Sequence, residues 1–152
     1  MVRRSAKSIF GTLLPALIFA SCSPNTQTGA FGLSTTTLTL HGNPLNVEVA
    51  DTPQSLSTGL MFRSSMPEDH GMLFMLGSAE HASFWMKNTK IPLSIAYIDG
   101  KGIVREEHDM EPFDERTTSS SSDDIVYALE VNQGWFQRHH IDPGVKVEGI
   151  PR

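Results

Sequence analysis

Short apolar segments, each cut off by turn residues within about ten positions, constrain this chain more than any other feature. Across residues 36–41, Leu38 and Leu40 alternate with Thr37, Thr39 and His41. Gly42-Asn43-Pro44 is turn chemistry, and Leu45, Val47 and Val49 then alternate with Asn46 and Glu48. This reads as a hairpin of two half-buried strands. Residues 72–76 form a short continuous apolar run, the mark of a buried strand. Further strands fit residues 82–86, 93–99, 125–131 and 145–147, with a hairpin turn at Asp99-Gly100-Lys101-Gly102 leading into Ile103-Val104. Only two short helices fit between them. One starts with Thr52 as cap and Pro53 at the first helical position and runs to about Leu60. The other covers residues 133–140. Residues 114–123, with Thr117-Thr118 and Ser119 to Ser122, read as an exposed low-complexity loop. The pattern predicts a mainly β chain: a compact antiparallel β-barrel-like roll with two short helices. With no repeat and no second domain, residues 37–152 are expected to share one core.

The front of the chain carries an address. Arg3, Arg4 and Lys7 form a basic start, and residues 9–20 are an uncharged, mostly apolar run. That run fits a signal segment and falls short of the ~20 residues needed to cross a bilayer. It ends in Phe19-Ala20-Ser21-Cys22, and small residues directly before the chain's one cysteine resemble a bacterial lipobox, with Phe19 where Leu is usual. Residues 1–21 are thus expected to be a signal peptide and Cys22 to be lipidated. Ser23 in place of Asp after the cysteine favours the outer membrane over the inner. Residues 22–36, rich in Ser, Thr, Gly and Asn, are expected to be a flexible tether that folding does not need. The partner so implied is a membrane, reached through the lipid, on the periplasmic side of the cell envelope. The net charge is −5 for the whole chain. The first 21 residues hold three of the basic groups and no acid, so a body starting at Cys22 carries −8. A body of that sign repels phosphate backbones, which excludes nucleic acid as the expected partner. One cysteine also excludes a disulfide framework and an all-Cys metal cage.

Three blocks then stand out: Gly59-Leu60-Met61-Phe62-Arg63, Gly71-Met72-Leu73-Phe74 and Phe84-Trp85-Met86-Lys87-Asn88-Thr89. Ile91-Pro92-Leu93, Leu129-Glu130-Val131, Gly134 and Pro143-Gly144 follow at matching spacing. In these residues the chain resembles the bacterial and archaeal "domain of unknown function 192" family over about residues 37–150. The resemblance implies a compact β-rich domain, often exported, with no agreed activity. The family pattern usually has Asp after the Pro-Leu pair, where this chain has Ser94.

The block around Trp85 mixes a broad aromatic face with the donors and acceptors of Lys87, Asn88 and Thr89, a combination suited to a polar ligand on an aromatic platform. Arg63 follows an apolar run and is expected to pair with Glu130. Ser94 and Ala96 on one strand, and Val126 and Ala128 on another, are small enough to line a cavity beside that pair. The candidate binding surface is therefore Arg63, Trp85, Lys87, Asn88 and Glu130, serving a non-catalytic module for a small ligand or an envelope protein. No catalytic set, resident metal or cofactor is assigned. Two other readings stay open. One is copper handling, because Met61, Met66, Met72, Met75 and Met86 crowd together with His70 and His81. The other is a carboxylate-based hydrolase, for which Glu106-Glu107-His108-Asp109 supplies acid and base types. Adjacent strand residues point to opposite faces, so those four cannot all converge.

Overall fold

A computed structural model describes Gly29 and residues 31–152. The expected signal peptide at residues 1–21, Cys22 and the expected tether up to residue 28 lie outside the described residues. Strands β1 (Thr35–Leu40) and β2 (Asn43–Ala50) form the first hairpin, with Leu38 opposite Leu45 and Thr36 opposite Val47. The turn sits at His41-Gly42, both with positive φ, rather than at Gly42-Asn43-Pro44. Two positive φ values match the twist of a two-residue hairpin. Pro44 is tolerated inside β2 because pairing with the next strand begins only at Asn46, so its missing N–H is not required.

Helix α1 (Pro53–Thr58) begins as expected. The Ser55 amide donates to Thr52 Oγ1 at 3.1 Å and the Thr52 amide to Ser55 Oγ at 3.0 Å, a reciprocal cap. It ends two residues before Leu60 at Gly59, whose φ of 49° leaves the helical region. The chain crosses over and returns as β3 (His70–Glu80), which runs parallel to β2. This is the one parallel pair of the main sheet. Next come β4 (Ser83–Phe84), β5 (Leu93–Asp99), β6 (Val104–Met110), β7 (Thr118–Ser119), β8 (Ile125–Asn132), α2 (Trp135–Arg138) and β9 (Val147–Glu148). The expected β5–β6 hairpin is present, its turn tied by the Asp99 carboxylate accepting from the Lys101 and Ile103 amides.

The seven-stranded sheet has the order β6-β5-β8-β3-β2-β1-β9. It curls until its two ends meet. Ile103 bridges Lys146, the Val104 amide donates to the Val145 carbonyl at 2.9 Å, and the Val147 amide donates to the Gly102 carbonyl at 2.8 Å. The barrel-like roll is thus closed at one end. All seven strands contribute to the core inside it, which includes Leu38, Leu45, Leu73, Leu129 and Val147, and α2 adds Trp135 and Phe136. A second core covers the outer face of the middle strands, where Met72, Phe74, Ile95, Tyr97 and Ala128 meet Leu60, Ala82, Met86 and Ile91. Two-sided burial explains why all seven residues of β5 are buried. Gly71 lets β8 approach β3, because a Cβ there would lie 2.5 Å from the Glu130 carbonyl oxygen.

Two expectations need correction. The serine-rich segment is not simply an exposed loop. It supplies β7, which pairs with β4, and Ser120 is buried with its hydroxyl accepting from the Ala82 amide and donating to the Ser122 carbonyl. Serine hydroxyls here replace the water that an exposed loop would use. The folded body also reaches back before residue 37. β1 starts at Thr35, the Val49 amide donates to the Ser34 carbonyl, Leu33 packs on the outer core, and Phe31 lies 4.2 Å from the Arg63 guanidinium. A chain beginning at Thr36 is therefore expected to lose about 1–2 kcal/mol and melt roughly 3–8 °C lower than one retaining residue 29 onward. Calorimetry of the two lengths checks this, and coincident melts would contradict it.

Candidate functional site

The site grows from a tight turn after β4. Met86 and Thr89 point into the outer core, while Trp85 and Asn88 face out. The Thr89 amide donates to the Met86 carbonyl at 3.1 Å, and Thr89 Oγ1 donates to the Lys87 carbonyl at 3.1 Å. Asn88 has φ 54°, a left-handed conformation that Asn accepts more readily than most residues. This turn holds two other segments. The Asn88 carbonyl accepts from the Phe62 amide at 2.9 Å, and the Thr89 carbonyl accepts from the Phe113 amide at 3.0 Å. Phe62 and Phe113 have φ values of 64° and 61°, unusual for bulky side chains and costing on the order of 1–3 kcal/mol each. Their rings are nonetheless 75% and 62% exposed, and Trp85 is 44% exposed. Strain of this kind persists only where the surroundings impose it.

Between the chain after α1 and residues 83–88 lies a cleft of about 630 Å³. Phe62 and Met61 form one wall, Trp85 and Asn88 the other, and Phe74 and Phe84 the floor. Phe84 meets Phe74 edge-on at 5.0 Å and Tyr97 at 6.0 Å. Gly59 is required beside the floor, since a Cβ would sit 3.2 Å from the Phe74 ring at a positive φ. Lys87 Nζ lies 5.0 Å from the Trp85 ring centroid. Across Phe62 a second hollow of about 780 Å³ holds Arg63, Glu48, Phe31 and His70.

Of the five residues expected to form one surface, Trp85, Lys87 and Asn88 come together in the cleft, and Arg63 lies next door beyond Phe62. Glu130 does not join them. Arg63 pairs with Glu48 instead, bidentate at 2.6 and 2.7 Å. Glu130 is 4% exposed, and its carboxyl makes no hydrogen bond or ion pair among the described residues. It faces the outer core from β8, opposite Met72 on one side and Ile95 on the other. Burial pushes its carboxyl up to about 8, so at neutral pH it is an uncharged acid. The supposed cavity of small residues also fails on register. Ala96 stands opposite Leu129 and faces the inner core, whereas Glu130 and Ala128 face the outer one. Ser94 is 1% exposed, donating to Asp109 at 2.5 Å and accepting from the Gly134 amide at 2.9 Å. Phe62, Met61 and Phe84 were missed as site residues because an apolar run reads as core. Glu48 was legible, since strand alternation sets it opposite Val47 and Val49.

The acid–base stretch divides as strand geometry requires. Glu106 and His108 share a face and meet at 3.0 Å. Burial pushes Glu106 up, but hydrogen bonds from Ser121 and His108 outweigh it and hold the carboxyl below its usual range. Glu107 lies on the other face, raised by burial and then by Asp142 and Asp109. Three of the methionines, Met72, Met86 and Met110, are buried in the outer core.

The family model for domain of unknown function 192 (DUF192), described as "Uncharacterized ACR", matches residues 36–149. The chain belongs to this family. A crystal structure from Sinorhizobium meliloti 1021, described as a candidate transcription regulator, is similar at 34% identity and TM-score 0.74, covering 77% of this chain and 95% of that one. A crystal structure of a protein of unknown function from Novosphingobium aromaticivorans DSM 12444 is similar at 32% identity and TM-score 0.71, covering 78% of this chain and 88% of that one. Among curated proteins none matches the chain.

The buried acid makes a prediction about pH. Between the ordinary value of 4.5 and about 8, folded Glu130 keeps a proton that the unfolded chain releases. Stability therefore falls as pH rises through that window, and Glu130→Gln removes this fall. The variant is expected to gain on the wild type by up to ~1.4 kcal/mol per pH unit. Thermal melts of both proteins from pH 5 to pH 8 check it; parallel curves would show that Glu130 is ionised throughout.

Proposed function

We propose that this DUF192 protein is a lipid-anchored cell-envelope module that binds a small ligand in the cleft between Phe62 and Trp85, without catalysis. One observation carries the binding reading: Phe62 is held in a strained backbone conformation with its ring exposed over an aromatic floor. A protein with no use for that ring would relax it or bury it. The size of the cleft falls in the range of small-molecule sites, which run ~300–1,000 Å³. The anchor reading rests on the short apolar signal ending in Ser21-Cys22.

The other readings have weaker support. Copper handling would need thioethers that converge, but of the five methionines in that set Met72 and Met86 are outer-core residues, Met75 packs on the inner core, Met61 lines the cleft and Met66 lines the second hollow. A hydrolase would need an accessible free base, but Glu106 is engaged by Ser121 and His108, the unpartnered Glu107 Oε2 is buried, and Ser94 is sealed. The description of the Sinorhizobium meliloti neighbour suggests regulation of transcription, and the net charge of −5 opposes direct contact with DNA.

Two measurements test the proposal. Cys22→Ala is expected to move the protein from the membrane fraction to the soluble one; retention after alkaline washing would refute the anchor. The neutral apolar dye Nile red is expected to bind one site per chain, with Phe62→Ser weakening it about tenfold or more at unchanged melting temperature. Dye binding that ignores Phe62 would refute the cleft.

A further inference from the structure

The cleft carries two charges that no other described residue neutralises. Lys87 and Glu80 are its only ionisable lining residues. Neither makes an ion pair among the described residues, and Glu80 is exposed while Lys87 is half-buried. Among the described residues the side-chain partner of Lys87 is the Trp85 ring, which fixes the ammonium beside the cleft without cancelling its charge. An apolar floor with one free cation and one free anion on its rim has an electrostatic complement of the same kind: a molecule with an apolar body and a head bearing both signs.

We infer that the cleft takes a single zwitterionic amphiphile, its apolar chain against Phe62, Phe74 and Phe84, its anionic group at Lys87 and its cationic group at Glu80. This rests on the binding reading above and deepens it by naming the ligand class. A head of one sign leaves one rim charge facing water or repelled, and a neutral head leaves both. The preference is therefore one of sign pattern as well as of hydrophobicity. The same headgroup chemistry is found on a free amphiphile and on a bilayer surface, and the cleft, bounded on two sides and floored, fits one molecule.

The test uses the fluorescence of Trp85, which forms a wall of the cleft, against the constant background of fully buried Trp135. Decylphosphocholine, decyl sulfate and decyltrimethylammonium are titrated into the protein below their micelle concentrations. The zwitterion is expected to bind about tenfold tighter than either single-charge head. Lys87→Gln is expected to erase the preference over the cation, and Glu80→Gln the preference over the anion. Equal affinity for all three heads overturns the inference, as does binding to phosphatidylcholine vesicles with none to the monomeric zwitterion. If Nile red still binds in a Phe62-dependent way while the heads are not distinguished, only this inference falls. If Nile red also fails, the binding reading falls with it.

Discussion

The turn at residues 86–89 is the constraint on which the site depends. Its inward side chains, Met86 and Thr89, are held by the outer core, and its carbonyls hold two phenylalanines in place. Without the core the turn would have no fixed position. Without the turn, Phe62 and Phe113 would leave a backbone conformation that disfavours them by on the order of 1–3 kcal/mol each. A single hydrogen bond gives a net ~1 kcal/mol, so neither bond alone offsets the strain. The remainder comes from the surrounding packing: Leu60, just before Phe62, is buried in the outer core, and the Met86 amide donates to the Asp114 carbonyl just after Phe113. Both strained residues are thus fastened at two points.

The same sheet face shows how position alone decides the state of a carboxylate. Glu48, Met72, Glu130, Ile95 and His108 form one row across β2, β3, β8, β5 and β6. Glu48, with Thr35 of β1 on its other side, meets Arg63 in a bidentate pair, the arrangement that suits an ionised acid. Glu130 in the middle meets only apolar neighbours in the row and is driven towards its neutral form. An ionised, unpartnered Glu130 would cost several kcal/mol, so retaining its proton is the cheaper solution. Tyr97 is raised as well, by burial first and then by Glu130 and Glu106.

Much of the fold was legible in the sequence, and the reasons are local. Alternation placed Leu38, Leu40, Leu45 and Val47 on one side of a hairpin, and Thr52-Pro53 marked a helix start whatever the tertiary context. The Trp85–Asn88 part of the site was legible because an aromatic beside donors and acceptors is unusual in a core. The rest depended on register and long-range pairing, which local pattern does not contain. Whether Glu130 shares a face with Ile95 or with Ala96 is a shift of one residue, and it decides whether a small-residue cavity exists. The partner of Arg63 lies fifteen residues back, across a parallel crossover, at Glu48. Phe62 reads as core because its neighbours Leu60 and Met61 are apolar, and only the positive φ turns its ring outward.

Amide hydrogen exchange tests the central claim most directly. The Phe62 and Phe113 amides are expected to be protected, exchanging slowly because they are bound to the Asn88 and Thr89 carbonyls, although both residues are exposed to solvent. Rapid exchange at both amides, at the rate of an unstructured loop, would mean that the turn does not hold these residues and that the cleft lined by Phe62 has no fixed form.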